Sequence, residues 1–318
     1  MKKLVLFFAA ALFAGAAGAQ SYPTKSIRII VPFTPGSATD VMARLLGERL
    51  NSAWGQPVIV ENKAGAGGTI GIRDTARADP DGYTLAVVSS GHAVNHVLYK
   101  DLGYDTLKDL SAVAMLGSLP SVLIVPPTSS VNSVKELVAM LKAKPGQYNY
   151  ATAGVGSGAH VGIEKFNVAA GVKAQHVPLK GTPPILTETM AGRVEYAYVP
   201  AVSGMGPVKD GKVKPLAVST GKRVAALPDV PTLGEAGFPE GESTFWLALL
   251  APAKTPTAIV RQINAETVRA LQSAEVKDRL ANLGTEPMSM TPTESDAFIR
   301  REYDDLGKVM RDAGLTPQ

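Results

Sequence analysis

Apolar positions in this chain come in short runs, each followed by a stretch where they recur every three or four residues. The first run is Ile27-Arg28-Ile29-Ile30-Val31. It leads through Pro32-Phe33-Thr34-Pro35-Gly36-Ser37-Ala38-Thr39-Asp40 into the amphipathic stretch 41–50. The change of period from two to about 3.6 predicts a strand, a tight loop and a helix. Pro35-Gly36 supplies the turn, and Ser37, Thr39 and Asp40 are all residues that cap a helix start. A helix start leaves backbone N–H groups unpaired and carries the positive end of the helix dipole. An anion can sit there without any basic side chain.

The same pattern repeats along the chain. Strands are expected at 58–60, 83–88, 121–125, 149–152, 175–179, 194–199, 215–219 and 244–250. Helices are expected after the Gly-rich stretch 63–71, over 133–143 with Ser133 and Glu136 spaced as a capping box, over 161–169 and over 185–191. Three more helices, 256–273, 274–283 and 293–313, end the chain. Alternation of short apolar strands with helices predicts α/β architecture, with largely parallel sheet covered on both faces. Ligands collect outside the carboxyl ends of such strands. The apolar strands at 121–125 and 244–250 bracket a block with its own alternation. The expected layout is therefore one lobe from 20–122 plus 246–318, and a second, inserted lobe over 123–245. The two bracketing strands would form a double hinge.

Composition agrees with two lobes, since 318 residues exceed the length at which single cores stop growing. Met1-Lys2-Lys3, an apolar stretch from Leu4 to Gly15 and Ala17-Gly18-Ala19 read as a secretory signal peptide over 1–19, cleaved before Gln20. Its removal takes the formal charge from +4 to +2, because Lys2 and Lys3 leave and no acid does. A periplasmic location follows as an expectation. Lys and Arg are scattered, not clustered, which argues against nucleic acid as a partner. The chain has no Cys, so disulfide, thiol and Cys-ligated metal chemistry are all excluded.

Catalytic signatures are weak. His92 and His96 have the i, i+4 spacing of a zinc site, but Ala93 stands where the metalloprotease pattern needs Glu. Gly156-Ser157-Gly158 lacks the spacing of a hydrolase nucleophile elbow. The stretch 65–71 fails the strict dinucleotide pattern because position 70 is Ile, and no P-loop is present. Neither a metal nor a cofactor is expected. Two further stretches repeat the logic of the opening loop, each between a strand and a helix: Gly154-Val155-Gly156-Ser157-Gly158 and Lys180-Gly181-Thr182-Pro183. Each helix start favours an anion by about 0.3–1 kcal/mol, and by up to about 2 kcal/mol when partly buried. Three starts split between two lobes would hold a carboxylate without a dedicated arginine.

A family resemblance rests on an ordered series of matches spanning Tyr22 to near the C-terminus. They are Pro23 with Ile27-Arg28 and Pro32, Pro35-Gly36 with Asp40, Val60-Glu61-Asn62-Lys63 with Gly65-Ala66-Gly67-Gly68, and Asp81-Gly82-Tyr83-Thr84-Leu85. Further on come Gly156-Ser157 with His160, Val177-Pro178 with Lys180-Gly181, Leu227-Pro228-Asp229-Val230-Pro231-Thr232, Glu235-Ala236-Gly237-Phe238 and Ala251-Pro252. The chain resembles the extracytoplasmic receptors of tripartite tricarboxylate transporters, the Bug family. That resemblance implies a type II periplasmic binding protein fold, in which two lobes close on a small carboxylate and pass it to a membrane permease. It implies no catalysis. It also implies that one carboxylate is held by backbone and water between Phe33, Thr34, Gly36, Ser37, Ala38 and Thr39 in one lobe and Thr152, Ala153, Gly156, Ser157, Gly158 and His160 in the other. Lys180, Gly181 and Thr182, with Ser89, Ser90 and His92, would line the remainder.

Two positions depart from the family pattern. Leu179 replaces a common aromatic. Val199, counted among the ligand-binding positions, replaces a common acid that would answer an ammonium group. A di- or tricarboxylate or an aromatic carboxylate is therefore expected, not an amino acid, and the receptor is expected to be a monomer. Alternatives are a binding protein feeding a sensor or chemoreceptor, and a secreted α/β hydrolase using Ser157 or Ser89.

Overall fold

In the computed structural model, residues 22–317 are described, and the signal peptide expected over 1–19 lies outside them. Among the described residues, ten strands form two sheets of five. The first holds β1 (Ile27–Val31), β2 (Val58–Asn62), β3 (Thr84–Ser89), β4 (Leu110–Leu119) and β10 (Phe245–Pro252), in the order β2-β1-β3-β10-β4. The second holds β5 (Ser121–Val125), β6 (Asn149–Thr152), β7 (Gln175–Pro178), β8 (Tyr196–Pro200) and β9 (Lys214–Val218), in the order β7-β6-β8-β5-β9.

Both sheets are mixed where largely parallel sheet is expected. β10 runs antiparallel to β3 and β4, and β5 runs antiparallel to β8 and β9. The reversed strand in each sheet is the one by which the chain has just arrived from the other lobe. The carboxyl ends of the parallel strands face the cleft. A chain crossing the cleft therefore enters at those ends and must run backwards. Of the bracketing strands, β5 belongs wholly to the second sheet and β10 to the first, so the chain passes between the sheets directly before each of them. The crossings are Pro120, the single residue between β4 and β5, and the connection from Val218 to Phe245.

The helices are α1 (Ala38–Trp54), α2 (Thr69–Ala76), α3 (Asn95–Leu98), α4 (Val134–Ala143), α5 (Gly158–Ala170), α6 (Thr182–Met190), α7 (Ala201–Lys209), α8 (Thr257–Gln272), α9 (Ala274–Asn282) and α10 (Pro292–Asp312). Strand alternation divides the first core in two. Ile29, Val31, Leu85 and Val87 pack with Leu45, Leu46 and Leu50 of α1, whereas Ile30, Ala86 and Val88 face Trp246 and Ile299. The second sheet divides likewise, with Leu123, Tyr196 and Tyr198 on one face and Val122, Ala197 and Val199 on the other.

Three elements escape the sequence reading, the shortest being the four-residue α3. β4 reads Leu-Ser-Ala-Val-Ala-Met-Leu-Gly-Ser-Leu, too small-residue-rich and irregular to stand out. α7 contains Gly204, Gly206 and Pro207, all poor helix formers, and is held by burial of Met205 and Val208.

Candidate functional site

The loops after β1 and β6 solve one problem in the same way. Gly36 and Gly156 each take a left-handed turn, with φ of 81° and 77°. A serine follows each as N-cap. Ser37 Oγ accepts from the Asp40 amide, and Ser157 Oγ accepts from the His160 amide. The side chain three residues past each serine then folds back onto the glycine: the Gly36 amide donates to Asp40 Oδ2 at 2.9 Å, and the Gly156 amide donates to His160 Nδ1 at 3.1 Å. The serine amides are met by Thr34 O and Gly154 O. First-turn amides have no acceptor within their own helix. The amides of Ala38 and Thr39 in one lobe, and of Gly158 and Ala159 in the other, therefore remain for a ligand.

All four of those residues line one cavity between the lobes, together with Phe33, Ser37, Ser89, Ala153, Ser157, Thr182, Pro200 and Phe245. The lobes touch around it. The Thr34 amide donates to Lys180 O at 3.2 Å, and Ser203 Oγ donates to Gly36 O at 3.0 Å. About 20 Å³ is left inside, roughly the room of one water. An organic acid thus requires the lobes to part. A second chamber of about 430 Å³ adjoins the first through Gly158 and Phe245, and Lys165, Glu302, Trp246 and several serines line it.

The remaining expected residues take other places. Thr34 and Gly181 meet across the cleft, where a Cβ on Gly181 would lie 2.2 Å from Thr34 Oγ1. Ser90 lines the larger chamber. His92 lines a separate pocket beside α10, with Asp296 and Arg300. Lys180 is exposed, and its carbonyl, not its side chain, makes the recorded contact. Val199 is fully buried in the second lobe's core. The third helix start is the poorest donor, because Pro183 and Pro184 have no N–H and only Thr182 can offer one. Ala159 falls inside the expected span 152–160. Sequence reasoning missed Pro200 and Phe245, which follow from the sheet topology and carry no motif.

Electrostatics differ between the matched starts. Burial would raise the Asp40 carboxyl, but hydrogen bonds from Arg44, the Gly36 amide and Asn62 outweigh it and hold the group below its ordinary value. One start therefore carries a built-in anion. The other carries a neutral imidazole. Burial, reinforced by His176, pushes His160 down to about 3. Burial likewise takes His176 to about 4. The two rings stack at 4.3 Å between centroids, and Tyr150 stacks on the far side of His176 at 5.0 Å. Thr152 Oγ1 lies 2.6 Å from His176 Nε2 and 3.2 Å from the Gly154 amide. This column ties the loop after β6 to the edge of its sheet. Nothing in the cavity pairs a nucleophile with a general base: Ser157 Oγ is spent on the helix cap, and His160 Nδ1 is taken by a backbone amide.

A family model described as "Tripartite tricarboxylate transporter family receptor" matches residues 42–315. The chain is 37% identical to protein BugT of Bordetella pertussis, over 97% of this chain and 95% of that one. Among solved structures, R. palustris Rpa4515 with adipate superposes with a TM-score of 0.90 at 32% identity, covering 93% of this chain and all of the other. MatC from Rhodopseudomonas palustris with bound malate superposes with a TM-score of 0.86 at 32% identity, covering 91% of this chain and 99% of that one. The chain therefore belongs to the tripartite tricarboxylate transporter receptor family.

Proposed function

We propose that this protein is a monomeric periplasmic receptor that captures a small organic carboxylate between its lobes and delivers it to an integral membrane permease. The observation that carries the reading is the pair of Gly-Ser helix starts, which turn free amides into one cavity from opposite lobes. Each start alone is a weak anion site. Together, in a site closed from water, they favour a carboxylate by several times the single-helix effect. Adipate and malate in two relatives support a dicarboxylate. The larger chamber beyond Phe245 offers room for the body of a longer or aromatic acid. The lobes are proposed as 22–119 with 245–317, and 121–244, borders a few residues from those expected because β5 starts at Ser121 and β10 at Phe245, and they move about their two crossings.

A thermal-shift panel tests the reading. Mono-, di- and tricarboxylates, aromatic acids, amino acids and cationic amines would be screened against the protein. At a hundredfold excess over Kd, the bound acid is expected to stabilise by about 2.7 kcal/mol. A panel in which only cationic compounds, or none at all, raise the melting temperature would refute it.

A further inference from the structure

The Gly-rich stretch after β2 does not line the cavity, yet it holds unusual backbone. Gly65, Ala66, Gly67 and Gly68 pass through four successive positive φ values of 145°, 45°, 59° and 101°. Among the described residues, Ala66 is the one non-glycine with positive φ. Such a conformation costs a residue with a side chain about 1–2 kcal/mol, so the surrounding structure must over-determine it.

What the stretch meets is the other lobe. A Cβ on Gly67 would lie 1.8 Å from the Val155 carbonyl oxygen, and one on Gly154 would lie 3.1 Å from the Gly67 backbone. The same Val155 oxygen accepts a hydrogen bond from the Tyr99 hydroxyl at 2.8 Å. Burial raises that hydroxyl to about 12, so it remains a donor. Beside it, the side-chain amide of the buried Asn95 faces Gly156 O and Gly91 O, and assigning its nitrogen to that side, the orientation in which both carbonyls gain a donor, gives hydrogen bonds of 3.3 Å to each. Two successive carbonyls of the second lobe are thus received by the first. They immediately precede Ser157, whose helix presents the free amides of Gly158 and Ala159.

We infer that Gly67, Tyr99 and Asn95 form a socket on the first lobe that receives the Val155–Gly156 peptide and positions the second lobe's donors, whatever acid lies in the cleft. This rests on the receptor reading above. The socket residues touch the donor loop and not the cavity, so they set how readily the lobes close and leave the choice of acid alone. Their loss lowers every affinity by one factor.

Two variants test this against a series of dicarboxylates from malate to adipate and longer. Tyr99→Phe removes one hydrogen bond and is expected to weaken every acid about three- to tenfold. Gly67→Ala places a methyl where the Val155 oxygen sits and is expected to weaken every acid by more than tenfold. Since both act on one carbonyl, the double variant should lose less than the product of the two. Because Gly67→Ala strains a left-handed position, paramagnetic relaxation between a spin label on one lobe and methyls on the other is measured on Tyr99→Phe without acid. The closed population should fall by the same factor as the affinities. Unchanged affinities and an unchanged closed population in Tyr99→Phe overturn the socket, as does a loss that differs from acid to acid. If no acid binds the unaltered protein, the receptor reading fails, and the relaxation measurement still decides the socket.

Discussion

One hydroxyl does the same work in both lobes, at Ser37 and at Ser157, and each makes a glycine turn into a donor site. Ser157→Pro removes the amide that holds Gly154 O and the hydroxyl that caps α5. Acid-dependent stabilisation is expected to disappear in this variant, as read by calorimetry. Lys180→Ala should change affinity by less than about threefold, since an exposed charge contributes little; a collapse would mean that a side chain and not the backbone holds the anion. The stacked pair His160 and His176 carries a pH signature. Both are held neutral well below their ordinary value of 6.5. Between pH 6.5 and about 4 the unfolded chain binds protons that the folded chain refuses, so stability falls as the pH falls through that window and is flat above it. His176→Gln should make this acid limb shallower in urea titrations at stepped pH. The serine caps and glycine turns were legible because their partners lie within four residues. His176 was not, because it meets His160 only through the register that sets it opposite Tyr150.

Among the elements, α1 and α5 are alike in form but differ in charge, α1 starting on an anion and α5 on a neutral imidazole. Asp40 accepts from the Gly36 amide, from Asn62 and from Arg44, and is 3% exposed. Asp40→Asn keeps one acceptor but leaves the rest of this network unmet. A loss of about 1–3 kcal/mol is expected in chemical denaturation. The element reading was most faithful where local rules decide. The three C-terminal helices fall within a residue or two of expectation, and Thr291 with Glu294 forms a full capping box. It failed where tertiary burial overrides propensity, as in α7, and where strand direction depends on distant chain, as in β5 and β10. The third helix start was legible as a start. Its weakness as a donor follows from its two prolines, which a sequence reading can equally well take as favourable helix beginnings.

For the whole molecule, the two crossings make the lobes unequal in what they need from the rest of the chain. All five strands of the second sheet lie between Ser121 and Val218. A fragment over 120–244 is therefore expected to fold and melt cooperatively in far-UV circular dichroism. A fragment over 22–119 is expected not to, because it lacks the strand between β3 and β4. The two-lobe layout was legible from the bracketing apolar runs, whereas the contact that brings the lobes together was not, because it joins a glycine stretch near residue 67 to a carbonyl near 155. The position of β10 also bears on how the protein is made. During synthesis β3 and β4 emerge early with no neighbour between them, and more than a hundred residues must follow before β10 arrives. At about 5–20 residues per second that is a wait of several seconds or more, with apolar strand edges open to other chains. The lobe that is begun first is finished last, and throughout that interval the facing edges of β3 and β4 lack the strand that joins them.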